Sequence, residues 1–410
     1  MTTTPRGAAL LPLIAVILTA LNLRTAVTGF TPLLDMIGAD LDFGPSLYGL
    51  LGTIVTACFA VFGLVAAAVA RRIGLERALA LAVVLTTVGI AVRAVSPTAT
   101  AMIVSSIIAY IGIGSSNVLV IPLVKKYFSA HLKSVSSLYI ALMQVGQFLA
   151  PLIAVPVALA IGWQWAIGMW ALLTAIAAAL WIVLAVRARG EKAPAVHHTQ
   201  TPLRGIWRTP LLWSIVLLMG TNCINVYAII TWLPTILVDA GADPAAGGAL
   251  LALFSVFGLA AAFIVPPLTI RLRNPFVIVV VCTVLMVAGY AGLMIAPGEG
   301  AIAWVVMLGL GVSTFPLCLT LVNVRTRTTD GSTALSGAMQ GIGYAIACVG
   351  PLGIGLLCDA SGLWTSSYIV LFVTLAIMLV SGYIACRPST LEDQAERVLE
   401  ARADQVSSRT

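Results

Sequence analysis

The sequence predicts an all-α membrane protein of twelve transmembrane helices arranged as two six-helix bundles. Three observations carry that expectation. Of the 410 residues, 60% are hydrophobic and 9% charged, with a mean hydropathy of +1.07. Soluble domains carry roughly 25% charged and 45–50% apolar residues, so a soluble fold of this composition would lack polar surface. The apolar runs are continuous over about 20 residues, as membrane helices require, and do not alternate as barrel strands would. The chain also repeats itself at an offset near 200 residues. Leu50-Leu51 matches Leu250-Leu251, Arg71 matches Arg271, Pro151 matches Pro351 and Gly162 matches Gly362.

Taken in order, apolar spans fall at about 9–34, 46–70, 78–96, 98–124, 134–160 and 164–187. They resume at about 210–237, 245–270, 275–296, 301–323, 333–357 and 364–386. The first run follows Arg6 in the manner of a signal peptide. It is too long for one, however, and Arg24 interrupts it with no small-residue cleavage site behind, so it is expected to stay as a first helix. The segment 188–209 is the one long polar stretch before the tail and divides an N-terminal bundle (1–187) from a C-terminal bundle (210–386). Residues 387–410 form a polar tail with helical spacing and mixed charge, expected as a soluble or frayed helix.

The loops set the orientation. Arg6, Arg71/Arg72/Arg77, Lys125/Lys126/Lys133, the Arg187–Arg208 segment, Arg271/Arg273, Arg325/Arg327 and the tail all fall on one face. Asp35, Asp40, Asp42, Asp239, Asp243, Glu299 and Asp359 fall on the other. Of 22 Lys and Arg residues only Arg24 and Arg93 escape the basic face. The positive-inside rule makes that face cytoplasmic and the chain an integral cytoplasmic-membrane protein with both termini inside. The net charge of +7 is thus a topology signal and not a nucleic-acid footprint.

Six spans per half give the two repeats the same orientation in the membrane. Parallel repeats related by an axis along the membrane normal belong to transporters of the major facilitator type, with the substrate site at the midplane between halves. Mid-span polar residues then mark the cavity, because a polar group in hydrocarbon needs a partner. Arg24 stands near the middle of Leu18–Leu34, with no Asp or Glu within four residues. A charge at that depth costs at least about 2.5–3.5 kcal/mol on insertion scales. It is read as a substrate residue, against the plainer reading of a brace for neighbouring carbonyls. Asn22 lies beside it, with Thr25 and Thr28.

Span four offers Tyr110 and Asn117, and span five Gln144, Gln147 and Tyr139. Span seven offers Asn222, Asn225 and Tyr227, span ten Ser313 and Thr314, and span eleven Gln340 and Tyr344. Spans one, four, seven and ten are expected to line the cavity, with five, eight and eleven beside them. Spans three, six, nine and twelve read as lipid-facing supports. The amides have a plainer role as interhelical glue. Arg93, Trp163, Trp165 and Trp364 are expected at the membrane interface. Pro32, Pro122, Pro151, Pro234, Pro316 and Pro351 are candidate hinges.

Other chemistry is not visible. Seven scattered cysteines show no metal-ligand spacing and read as small buried hydrophobes. His131, His197 and His198 read as solvated. No Asp, Glu or His lies mid-membrane, so Asp35 at the outer end of span one is the nearest candidate for a coupling proton. No metal, cofactor or enzymatic constellation is expected. The fork of the Arg24 guanidinium suits a small anion, or a polar molecule with acceptor oxygens.

Asn22-Leu23-Arg24, Gly112-Ile113-Gly114 leading to Asn117-Val118-Leu119, and Pro122-Leu123-Val124-Lys125-Lys126 resemble a specific pattern. So do Tyr227 with Trp232-Leu233-Pro234, Phe315-Pro316-Leu317, Ala334-Leu335-Ser336-Gly337, and Gln340-Gly341-Gly343-Tyr344 before Gly350-Pro351. The chain resembles the cyanate and 2-nitroimidazole transporter family of the major facilitator superfamily over about residues 18–385. That resemblance implies alternating-access transport of a small anionic or nitro-bearing compound. Arg24, Asn22, Asn117, Gln147, Asn222, Tyr227, Gln340 and Tyr344 are the candidate substrate-binding residues. The alternatives are an efflux pump for neutral antimicrobials on the same fold, and a membrane-embedded enzyme.

Overall fold

The computed structural model describes residues 6–128, 131–188 and 205–407. Most of the linker expected at 188–209, with His197 and His198, lies outside the described residues. The described residues form sixteen α-helices with short 3-10 turns and no strand. In order these are α1 (Arg6–Thr28), α2 (Leu34–Leu41), α3 (Pro45–Ile73), α4 (Leu75–Ala94), α5 (Ala99–Tyr127), α6 (Leu132–Ile161) and α7 (Trp163–Arg187). There follow α8 (Pro210–Asp239), α9 (Pro244–Arg271), α10 (Phe276–Ile295), α11 (Ala301–Gly311), α12 (Thr314–Val324), α13 (Thr329–Ala347), α14 (Val349–Ser361), α15 (Thr365–Ala385) and α16 (Leu391–Ser407).

Twelve stretches among them are long and apolar enough to cross a membrane, from Leu10–Leu41 to Thr365–Ala385. Three spans are broken, and proline chemistry says where. Proline has no N–H for the carbonyl four residues back, and its ring crowds that carbonyl. Thr28 ends α1 four residues before Pro32, Val312 lies in the break four before Pro316, and Ala347 ends α13 four before Pro351. Pro122, Pro151 and Pro234 sit inside helices that continue through them. The hinge expectation therefore divides: three of the six prolines mark breaks and three do not.

Packing repeats between the halves. In the first, α1 packs on α6 and α7, α3 on α5, and α4 on α5 and α7. In the second, α8 packs on α13 and α15, α9 on α11, and α10 on α11 and α15. The halves meet where α6 lies on α9 and α3 lies on α13 and α14. Side-chain ties repeat as well: Trp163 Nε1 donates to Asp40 at 2.6 Å, and Trp364 Nε1 donates to Asp239 at 3.1 Å. Outward side chains such as Leu172, Val284 and Val380 are large, apolar and exposed, as a lipid-facing surface requires.

Three expectations need correction. Trp163 is buried and tied to Asp40 rather than free at an interface. Arg93 is 0% exposed, with its guanidinium between the rings of Phe30 (4.5 Å) and Tyr110 (4.7 Å) and Nη1 donating to the Ala26 carbonyl at 3.0 Å. Ring faces and a released carbonyl replace the water that snorkelling would have sought. Spans three and nine are accordingly more than lipid-facing supports, since Arg93 of α4 is buried and Tyr290 of α10 donates to buried Asn225 at 2.9 Å.

The tail is docked rather than frayed. Leu391 and Ala395 of α16 are buried, and the Glu392 carboxylate accepts the backbone N–H groups of Arg327 and Thr328 and the Thr328 hydroxyl. It thereby caps the start of α13, where orphan donors and the helix dipole favour a negative charge. Arg327 pairs with Asp393, and Gln394 accepts the N–H of Leu211 at the start of α8.

Candidate functional site

A cavity of about 570 Å³ lies between the halves. It runs from Arg24, Asn222 and Tyr227 in the middle of their spans to Ile270, Asn323 and Val324 at the basic ends of α9 and α12. On the acidic side the halves are shut. Thr53 donates to the Cys348 carbonyl at 3.1 Å, Thr235 donates to the Asp35 carboxylate at 3.2 Å, and Ser46 donates to Asp359. The cavity therefore extends from mid-span toward the basic face.

Arg24 reaches this space because α1 ends just beyond it. Thr28 shares its one hydroxyl proton between the Arg24 carbonyl at 3.1 Å and the Gln147 carbonyl of α6 at 3.2 Å. The last turn of α1 is thus fastened to span five. The Arg24 guanidinium lies 5.8 Å from the centre of the Phe59 ring, and the hydroxyls of Tyr227 and Tyr344 from the second half face it. Phe59, Tyr344 and Tyr227 form an edge-to-face series at 5.8 and 6.4 Å. No carboxylate among the described residues pairs with Arg24, and its Nε is buried without a hydrogen-bond partner.

Asn222 supplies a second orphan donor. Thr314 donates to its Oδ1 at 2.5 Å, and the Nδ2 of this cavity-lining residue is buried and unpartnered. A buried donor without a partner costs about 1–3 kcal/mol. Arg24 comes from the first half and Asn222 from the second, and the free atom of each is an N–H group. An acceptor oxygen would satisfy either. The rest of the wall is largely apolar, with Phe254, Phe315 and Val226 among it, so that few polar groups would fix orientation.

Arg24, Gln147, Asn222, Tyr227 and Tyr344 all line this cavity. Three candidates do not. Asn22 is buried and spends its Nδ2 on the Leu18 carbonyl one turn back, at 2.8 Å. Asn117 is half-buried on α5, and no residue of α5 lines the cavity, contrary to the expectation for span four. At Gly114, α5 packs closely on the α3 backbone at Cys58, and α3 likewise contributes no residue to the cavity lining. Gln340 is exposed and bonded to Ser336 at 3.0 Å, one turn from Tyr344 toward the basic end of α13. Asn225 turns away from the cavity into a network with Tyr290 and Thr374. Thr320 and Asn323, three apart near the mouth, also line the cavity and are not among the candidate substrate-binding residues, although their spacing on a cavity-lining span is visible in the sequence. Among the described residues no group of three His, Cys, Asp or Glu is placed to hold a metal.

Residues 13–348 match the family model described as Major Facilitator Superfamily. The chain is 32% identical over 377 residues to the 2-nitroimidazole transporter of Escherichia coli K12, covering 91% of this chain and 94% of that protein. It is 27% identical over 352 residues to the cyanate transport protein CynX of the same organism, covering 85% and 90%. Among solved structures, the inward open conformation of the xylose transporter XylE from E. coli superposes with a TM-score of 0.71 at 12% identity, covering 96% of this chain and 99% of that one. At that identity the likeness speaks to fold alone. These proteins are transporters and not enzymes.

Proposed function

The chain belongs to the Major Facilitator Superfamily, and from that premise we propose that it is a secondary active transporter moving a small anion or nitro-bearing compound across the cytoplasmic membrane by alternating access. One observation carries the substrate reading. Arg24 and Asn222 both line the cavity between the halves, and each holds one buried N–H group, Nε and Nδ2, that lacks an acceptor oxygen. A carboxylate, a nitro group or the cyanate ion offers one. In the low-dielectric cavity an anion also neutralises the guanidinium, which no carboxylate there does. Gln147, Tyr227 and Tyr344 complete the polar contacts.

The bundles 1–187 and 210–386 are the rocking bodies and 188–209 is their connection. The basic face is cytoplasmic, so the cavity corresponds to the inward-open state. The volume of about 570 Å³ accommodates a single planar ring more closely than a triatomic ion. The edge-to-face aromatic series beside Arg24 favours such a ring. A coupling proton would be carried by Asp35, the carboxylate that joins the halves through Thr235 on the closed side. The apolar walls favour one second reading, export of neutral antimicrobials, and a dispensable Arg24 would be its mark.

The test is uptake of labelled 2-nitroimidazole and cyanate into proteoliposomes, with and without an inward proton gradient, for wild type and Arg24→Gln. Uptake that the substitution abolishes while folded protein is retained supports the reading. Uptake indifferent to Arg24→Gln removes the anion site, and gradient-independent uptake removes the coupling proton.

A further inference from the structure

We propose that Arg93 is a positioning residue for substrate binding: it clamps the break in the first span and so holds Arg24 in the cavity. The inference rests on the reading of Arg24 as the anion-binding group. In an unbroken helix the Ala26 carbonyl would accept the N–H of Phe30. Here that N–H goes to Val27 at 3.3 Å, because the chain tightens ahead of Pro32. The Ala26 carbonyl is thereby released, two residues from Arg24 and inside the protein. Arg93 Nη1 takes it at 3.0 Å, and the Tyr110 hydroxyl shares it at 3.3 Å.

The same guanidinium stacks on Phe30, the residue on the far side of the break. It therefore grips both arms of the bend, a carbonyl before it and a ring after it. Tyr110 closes the other face of the guanidinium, which leaves Arg93 fully buried. No carboxylate among the described residues pairs with it, and its Nε and Nη2 have no partner. A charge in that setting is costly, and a neutral donor would satisfy one carbonyl at lower cost. What a neutral donor would not supply is the planar cation that binds a ring and a carbonyl at once. Together with the Thr28 bond to Gln147, this clamp fixes the turn that carries Arg24.

The experiment compares wild type with Arg93→Met, Arg93→Lys and Tyr110→Phe, the last removing the hydroxyl that shares the Ala26 carbonyl while keeping the ring that covers the guanidinium. Two quantities are read: backbone hydrogen exchange over residues 24–33, and KM and Vmax for 2-nitroimidazole uptake. Arg93→Met is expected to speed exchange across the break and to raise KM about tenfold with Vmax little changed. Arg93→Lys should recover part of the loss, and Tyr110→Phe should raise KM by a smaller factor. Unchanged exchange in the variants overturns the clamp whatever the substrate is. Faster exchange with an unchanged KM makes Arg93 a brace only and overturns the positioning role. Should Arg93→Met fail to fold, Arg93→Lys and Tyr110→Phe decide by the same criteria. Arg24→Gln is the control: if it too leaves KM unchanged, the fault lies with the anion site and not with the clamp.

Discussion

Gly248 of α9 and Pro151 of α6, one from each half, meet so closely that a β-carbon on the glycine would lie 2.6 Å from the proline carbonyl oxygen. Gly49 of α3 meets Pro351 of α14 in the same way, at 2.5 Å. The two contacts are equivalents in the internal repeat, and both lie on the side where the halves are shut. Small residues that let backbones approach are a common device for packing membrane helices. Here they allow closure of that side.

Gly248→Ala is therefore expected to disfavour the closed side and shift the equilibrium toward the opposite state. Overpacking costs about 1–3 kcal/mol, which corresponds to a shift of roughly 5–150-fold. Transport Vmax should fall, and a thiol placed on the acidic side of the interface should become more reactive. Gly49→Ala should act alike. An unchanged rate and thiol reactivity would deny these glycines a part in closure.

Tyr290→Phe provides a contrast. Tyr290, Asn225 and Thr374 form a buried network within the second half, away from the cavity. Loss of one such membrane hydrogen bond costs about 0.6–2 kcal/mol. A lower melting temperature with unchanged KM is expected, and a raised KM would tie this network to binding.

Docking of the tail should depend on acid. Burial pushes the Glu392 carboxyl up, but the N–H groups of Arg327 and Thr328 and the Thr328 hydroxyl more than offset it, holding the carboxyl below its usual 4.5. A depressed carboxyl pKa contributes stability that is fully present above the usual value and lost as pH falls through the folded one. The protection of Leu391–Ser407 against hydrogen exchange, taken relative to the intrinsic rate at each pH, should thus be high at neutral pH and fall below about pH 4.5. Glu392→Gln should bring faster exchange at neutral pH. Equal protection in the variant would place the docking energy in Leu391 and Ala395 instead.

Much of the fold was legible because membrane helices advertise themselves by length and hydropathy, and each of the three breaks has a proline four residues on, although Pro122, Pro151 and Pro234 leave their helices whole. Arg24 was legible as an isolated mid-span charge. The fate of the amides was not. Asn222 and Asn225 are three apart, about 60° around a helix, enough for one to reach the cavity and the other to join Tyr290 and Thr374. Asn22 could spend its amide on its own helix, which no pattern of residue types announces. Arg93 was misplaced because a position near a span end is compatible with either water or a buried carbonyl. The carbonyl existed only because α1 breaks at Thr28. The docked tail escaped notice for a similar reason: Glu392 finds its partners on backbone N–H groups that every helix start exposes.

The most direct measurement is a double-mutant cycle in the affinity for 2-nitroimidazole, or for cyanate if that is the compound taken up, using Arg24→Gln, Asn222→Ala and the pair. If one bound group bridges the two orphan donors across the halves, each single substitution should weaken binding and the pair should be non-additive by about 0.5–3 kcal/mol. Strictly additive losses, or unchanged affinity in Asn222→Ala, would contradict a substrate held between these two residues.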